Sequence, residues 1–200
     1  MAVKGDPGHT RRTQAERRAN TRAALIDAAR ELFADKGFAA TGREEIVERA
    51  GVTRGAMYHH FGSKEDLFRA VYEQLETKLM EAIVVAAAAA ATDPIEQLRL
   101  GARAYLDAAA DDPAVRRVVL LDAPSVLSAE VRHELAEIYG LGVTREVLAQ
   151  AMAAGRIARQ PVEVLAPIVL AALHQAAELV ADGQDRAEVG AIVDRMIEGL

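Results

Sequence analysis

The sequence predicts an all-α protein of about nine helices, and three observations carry that prediction. Alanine, leucine, glutamate and arginine dominate the 200 residues, aromatics make up 4% and tryptophan is absent. The dominant types are the good helix formers. No sustained run alternates β-branched with polar residues, as a strand requires. Apolar residues instead recur at helical spacing between recognisable start and stop signals. At 51% hydrophobic, the chain has enough apolar surface to build a substantial core.

Residues 1–16 (MAVKGDPGHTRRTQAE) have no helical period and read as a mobile basic tail. A first helix spans about Arg17 to Lys36, its apolar stripe formed by Leu25, Ala28, Ala29, Leu32 and Phe33. Gly37 supplies the stop. A short second helix ends at Ala50, capped either by Thr41 with Glu44 as a capping box or by Gly42 in the competing register. Gly51-Val52-Thr53 breaks the chain, and Thr53 caps a third helix over 54–60. Two short helices around a glycine-bearing turn outline a helix-turn-helix.

Gly62-Ser63 breaks the chain again, and Ser63-x-x-Asp66 opens a long fourth helix that buries Leu67, Val71, Leu75 and Leu79 and runs into the alanines of 86–91. Asp93-Pro94 and Asp112-Pro113 each place a cap before a proline at the first helical position, opening the fifth and sixth helices. Ser128 caps a seventh reaching Ala154, before Gly155. An eighth covers about 162–182 and ends at Gly183; Pro167 either starts it or bends it. Asp185-x-x-Glu188 opens the ninth.

Charge is distributed unevenly. The net charge is −6, yet residues 1–64 carry 12 Lys/Arg against 8 Asp/Glu, whereas residues 65–200 carry 12 against 22. A basic head on an acidic body places any polyanion-binding surface at the front of the chain. There are no cysteines, so disulfides, thiol catalysis and cysteine-ligated zinc are excluded. The N-terminus does not read as a signal peptide, and the apolar stretch 164–173 is too short to span a bilayer. The expectation is a soluble, cytoplasmic protein.

The informative segment is TGREEIVERAGVTRGAMYHHFGSKEDLF, residues 41–68. Ile46, Ala50, Val52, Met57 and Phe61 are placed to form a small core against the first helix. Thr53 and Arg54 stand at the start of the third helix, where free N–H groups and the dipole favour phosphate. Arg54 is also long enough to reach a guanine edge in a major groove. Gly55 permits close approach of that helix to a partner. From Ile46 through AGVTRGAMYHHFGSKEDLF the segment resembles the DNA-binding domain of the TetR family of bacterial repressors, and the likeness extends back to about Arg17.

That resemblance implies a head over 17–64, a tail over 1–16, and an effector-binding and dimerisation domain over 65–200. It implies DNA contacts from Thr41, Arg43, Thr53, Arg54, Gly55, Tyr58 and His59, with His60 and Lys64 clamping the backbone. The family usually has Ser or Thr where Gly42 stands, which leaves the phosphate role to Thr41 or Arg43. His59 and His60 are adjacent and point about 100° apart on a helix, so they do not converge on one metal ion; no metal and no cofactor are expected. Arg11, Arg12, Arg17 and Arg18 form either a solvated tail or an arm for an adjacent minor groove.

The body resembles the family in general plan only. LAPIVLAALHQAAELV is apolar nearly all round, as expected of a helix between its own domain and a partner. Leu170, Leu173, Ala177, Ile192, Val193 and Met196 are the interface candidates, burial within one subunit being the other reading. Tyr72, Arg103, Tyr105, Asp122, His133, Tyr139 and His174 are the polar residues placed to face an apolar ligand pocket.

Together these readings predict a ligand-responsive transcriptional regulator, a repressor, that binds a palindromic operator in double-stranded DNA as a homodimer and is released by a small-molecule effector. No nucleophile elbow, phosphate loop or HExxH is present, so an enzyme is not expected. The competing reading is a helical ligand-binding or protein-interaction module without sequence-specific DNA binding, against which the basic head argues.

Overall fold

The computed structural model describes residues 13–90 and 92–200. It is helical throughout, with ten α-helices and two π segments. They are α1 Gln14–Ala40, α2 Arg43–Ala50, α3 Arg54–His60, α4 Lys64–Ala88, α5 Pro94–Asp111, the π segment Val115–Asp122 with α6 Ala123–Val126, α7 Ala129–Ala136, the π turn Glu137–Leu141, α8 Gly142–Ala153, α9 Val162–Ala181 and α10 Arg186–Glu198. Because the first π segment runs directly into α6, and α7, the π turn and α8 are continuous, the described residues form nine rods.

Most of the sequence-predicted caps form. Ser63 Oγ accepts from the Asp66 N–H at 3.0 Å, Asp93 Oδ1 from Ile95 at 3.0 Å, and Asp185 Oδ1 from Glu188 at 2.9 Å. Ser128 Oγ accepts from Val131 at 3.3 Å. These bonds satisfy N–H groups that a helix start otherwise leaves without partners.

Several boundaries differ from expectation. α1 begins at Gln14, three residues early, because Thr13 and Glu16 form a reciprocal capping box; residues 1–12 of the expected tail, with Arg11 and Arg12, lie outside the described residues. α2 is capped by Gly42, with no side-chain cap bond, so the Thr41 capping box does not form. α4 stops at Ala88, short of the end of the alanine run. The seventh predicted helix is interrupted by its π turn. α9 starts at Val162 and contains Pro167, so that proline lies inside the helix and does not start it.

The head packs α1 against α2 and α3, with Leu25, Leu32, Phe33, Ile46, Met57 and Phe61 buried between them. Phe33, Phe38 and Phe68 meet with ring centroids 5.2–5.7 Å apart, binding the end of α1 to the start of α4. In the body α5 is central. It packs on α4, α8, α9, α10 and the π segment, burying Leu98, Ala102, Leu106 and Ala109. α9 is 20 residues long and apolar enough, by length and composition alone, to cross a bilayer. This exceeds the ten-residue stretch read from sequence, but Ala166, Val169, Leu173, Ala176, Ala177 and Val180 pack into the core.

Gly37 has φ 81 and ψ 170, a region open essentially only to glycine, and it bends the last turn of α1. The Arg117 guanidinium lies where a Cβ on Gly37 would stand. Beside it the Phe38 N–H donates to Asp122 Oδ2 at 2.7 Å, and Arg117 Nε lies 3.1 Å from Asp122 Oδ1. The head is thereby fixed to the π segment as well as to α4.

Candidate nucleic-acid interface and adjoining cavity

The exposed side of the helix-turn-helix is assembled by short-range rules. Thr53 has extended backbone and its hydroxyl accepts from the Ala56 N–H at 3.2 Å, which starts α3. With Met57 turned inward at 1% exposure, the helical period turns Arg54, Gly55, Tyr58 and His59 outward. Tyr58 is 50% exposed, unusual for a large aromatic and well separated from the core. The space a Cβ on Gly55 would enter is open for 4 Å.

Arg43 is exposed at the start of α2, and Arg54 pairs with Glu44 at 2.5 Å across the turn. Both members of that pair are well exposed, so the interaction is weak and its arginine is readily released. His60 is half-buried beside Phe61. Partial burial, then the neighbouring His59, Arg18 and Arg22, hold its pKa below the ordinary histidine value.

Two predicted contact residues are also engaged within the fold. Thr41 is 2% exposed, and its hydroxyl faces the carbonyls of Gly37 at 2.8 Å and Leu32 at 3.3 Å. Lys64 donates to the carbonyls of Phe38 at 2.8 Å and Thr41 at 3.0 Å, and its ammonium lies 4.0 Å from the Phe38 ring centroid. Both close the end of α1 onto α4. Their hydrogen-bonding capacity is directed inward, which removes the Thr41 side chain from the outer face.

Beyond the head, α4 forms one wall of a cavity of about 520 Å³. Among the predicted ligand-facing residues, Tyr72, Tyr105, His133, Tyr139 and His174 line it. Arg103 and Asp122 do not. Arg103 pairs with Asp194 at 2.5 Å on the surface between α5 and α10, and Asp122 holds the Phe38 N–H. Sequence reasoning missed Glu76, Arg132 and Glu178, which also line the cavity. Glu76 stands one turn from Tyr72 on α4, a spacing that is visible in the sequence once Tyr72 is known to face inward.

The polar groups of the cavity are connected. Tyr105 Oη and His174 Nδ1 are 2.8 Å apart, and His174 Nε2 is 3.5 Å from Glu178 Oε1. The Tyr72 hydroxyl is within hydrogen-bonding reach of Glu76. Burial raises the pKa of Tyr72, Tyr105 and Glu76 and lowers that of His174, so the charged form is disfavoured at each. Among the described residues no group of three or more His, Asp or Glu side chains is arranged to hold a metal ion.

The interface candidates divide. Leu173, Ala177 and Val193 are buried within the chain, and Leu170 packs over Gly140, so these face inward rather than outward. Met196 is half-buried against the core, and Ile192 is 59% exposed. On α9 Val164, Ile168 and Leu179 are exposed, with Ile168 61% exposed, while Ala171 and Gln175, exposed between them, also border the cavity.

Comparison with known proteins accounts for this arrangement. Residues 25–71 match the family model described as bacterial regulatory proteins of the tetR family, and residues 95–200 match that of the tetracyclin repressor-like C-terminal domain. The HTH-type transcriptional activator FasR of Mycolicibacterium smegmatis is 37% identical over 100 residues, covering 50% of this chain and 45% of that protein. The chain thus spans less than half the length of that relative. A TetR-family transcriptional regulator from Pectobacterium atrosepticum superposes with a TM-score of 0.74 at 32% identity, covering 94% of each chain. FadR from Bacillus subtilis, solved in complex with stearoyl-CoA, shares the fold with a TM-score of 0.74 at 21% identity over 88% of this chain and 96% of that one. The two family models and the near-complete superposition place this chain in the TetR family of helix-turn-helix transcriptional regulators.

Proposed function

We propose that the chain is a ligand-responsive transcriptional repressor that binds a palindromic operator as a homodimer and is released by a small-molecule effector. One observation carries this: an outward-facing set of Arg43, Arg54, Tyr58 and His59 is joined, through α4 and the Phe38–Asp122 bond, to the wall of a cavity large enough for a drug-sized ligand. In this reading residues 17–64 are the DNA-binding head and residues 65–200 the effector-binding and dimerisation body. The basic residues ahead of α1 precede the head as a tail.

Arg43, Thr53, Arg54, Gly55, Tyr58 and His59 form the proposed DNA face. His60 and Lys64 flank it as backbone clamps, Lys64 also holding the carbonyls at the end of α1. Guests in the cavity press on α4, and an effector that prefers a different separation of the two heads lowers DNA affinity by population shift. Half-site centres about one helical turn or a multiple apart, ~34–36 Å per turn, suit such a dimer. Repression requires only occupancy of the operator, the simplest use of these parts. No enzymatic activity is assigned, and the place of action is the cytoplasm.

A salt-titrated selection from random duplexes, with wild type and Tyr58→Ala, tests the reading. The expected result is a palindrome retained by the wild type and lost in the variant. Absence of any enriched sequence at low salt would overturn DNA reading in favour of a ligand-binding or interaction module. Transcription from a promoter bearing the recovered operator then distinguishes repression from activation.

A further inference from the structure

The cavity carries information about its guest. At about 520 Å³ it suits a small organic molecule, and side chains such as Leu79, Met80, Ile83 and Val119 make much of its wall apolar. Glu76 projects into this space from α4, and no ion pair is made by it among the described residues. Its near neighbours are the tyrosine Tyr72, on the same helix, and Tyr105 on α5. A second carboxylate, Glu178, enters from α9, 3.5 Å from His174 Nε2 and close to Tyr105. Burial disfavours protonation of that histidine. Arg132, the cationic lining residue, is solvent-exposed on α7 and acts on Tyr72 and His174 from the edge of the cavity.

A buried carboxyl without a cation is costly when ionised and is relieved when a cation arrives. Two tyrosine rings beside it offer a surface that attracts ammonium groups. An anionic guest would meet the two carboxyl groups of Glu76 and Glu178 against the single arginine Arg132 at the cavity's exposed edge. We infer that the effector is a lipophilic organic cation, an amine on an apolar body, whose nitrogen is seated at Glu76 beside Tyr72 and Tyr105. This inference rests on reading the cavity as the effector site.

The test uses three probes on one skeleton, phenylbutylamine, phenylbutanol and phenylbutyrate, titrated calorimetrically into the full chain. Nile red, an uncharged fluorophore, reports independently whether the cavity takes any apolar guest. The expected order is amine, alcohol, acid, with the amine about tenfold tighter than the alcohol. Glu76→Gln, nearly isosteric, is expected to keep Nile red binding and lose the preference for the amine. The cation assignment is overturned if alcohol or acid binds as tightly as the amine, or if the preference survives Glu76→Gln. Entry of Nile red with no binding of the amine overturns the cation assignment and leaves the cavity reading standing. Exclusion of Nile red and amine alike overturns both.

Discussion

The backbone N–H of Phe38 donates to the Asp122 carboxylate at 2.7 Å, joining positions 84 apart in sequence. Phe38 closes the first helix of the head, and Asp122 ends the π segment that packs on α1, α4, α5 and α9. The two bodies are therefore linked by a directional, charge-assisted bond in addition to apolar packing. A hydrogen bond to a charged group contributes about 1.5–3 kcal/mol. Asp122→Ala is expected to lower Tm by several degrees, at about 2–4 °C per kcal/mol for a chain of this length. If this bond carries the coupling, the variant also shows a smaller change in operator affinity when an effector is added. Thermal melting and gel shifts check the two effects separately.

Gly37 is the second part of that junction. An alanine there must hold φ 81 and ψ 170 and displace the Arg117 guanidinium. The backbone conformation alone costs a residue other than glycine about 1–3 kcal/mol. Gly37→Ala is expected to destabilise by at least that much. Adding Arg117→Ala recovers only the steric part, leaving the conformational part intact. A double-mutant cycle by denaturant unfolding resolves the two.

Much of this was legible in the sequence because it is local. The caps at Ser63, Asp93, Ser128 and Asp185, the break at Gly37, which kinks α1 rather than ending it, and the inward stripe of α1 all depend on residues within a turn or two of one another. The outward placement of Arg54, Tyr58 and His59 follows from the same periodicity once Met57 is buried. What escaped was long-range. Asp122 reads as a candidate ligand contact until its partner 84 positions away is known. Arg103 reads likewise until α10 brings Asp194 beside it. Thr41 and Lys64 carry the right chemistry for phosphate but fold onto the carbonyls ending α1. The two π segments, of eight and five residues, also escaped, since neither carries a start or stop signal of its own.

Gly55 separates fold from recognition. A methyl group there meets nothing within 4 Å, and alanine is favoured over glycine within a helix by roughly 0.5–1 kcal/mol. Gly55→Ala is therefore expected to melt at an equal or higher temperature than the wild type. Its operator affinity is expected to fall, because the added methyl stands where DNA approaches α3. Unchanged affinity would remove close approach at Gly55 from the recognition scheme. Melting curves and gel shifts on one preparation give both answers.

His174 gives the body a pH dependence of definite sign. Burial is the largest cause of its lowered pKa, with Glu178 opposing and Arg132 adding to it. The folded state then binds fewer protons at this site than the unfolded chain does. Its stabilising contribution is complete above the ordinary histidine pKa of about 6.5 and is lost as pH falls through that value towards the lower folded one. His174→Gln is expected to flatten this part of the profile of Tm against pH. An unchanged slope would assign the acid sensitivity to another group, His60 being the other histidine with a depressed pKa.

The outward stripe of α9 makes the last prediction. Val164, Ile168 and Leu179 are exposed, as is Ile192 on α10, whereas Leu173, Ala177 and Val193 are enclosed in the chain's own core. An apolar helix face of this length in water is the expected signature of a surface that another subunit covers. Since the exposed positions contribute little to the isolated fold, Ile168→Glu is expected to leave helicity unchanged. In a two-fold interface the substitution enters twice, placing two carboxylates in apolar contact. Light scattering after size exclusion is then expected to give the monomer mass for the variant and twice that mass for the wild type. Leu173→Ala, by contrast, opens a cavity within one subunit and is expected to cost about 2–5 kcal/mol of stability. A variant pair behaving the other way round, with Leu173→Ala dissociating the dimer and Ile168→Glu only melting early, would move the interface off this face.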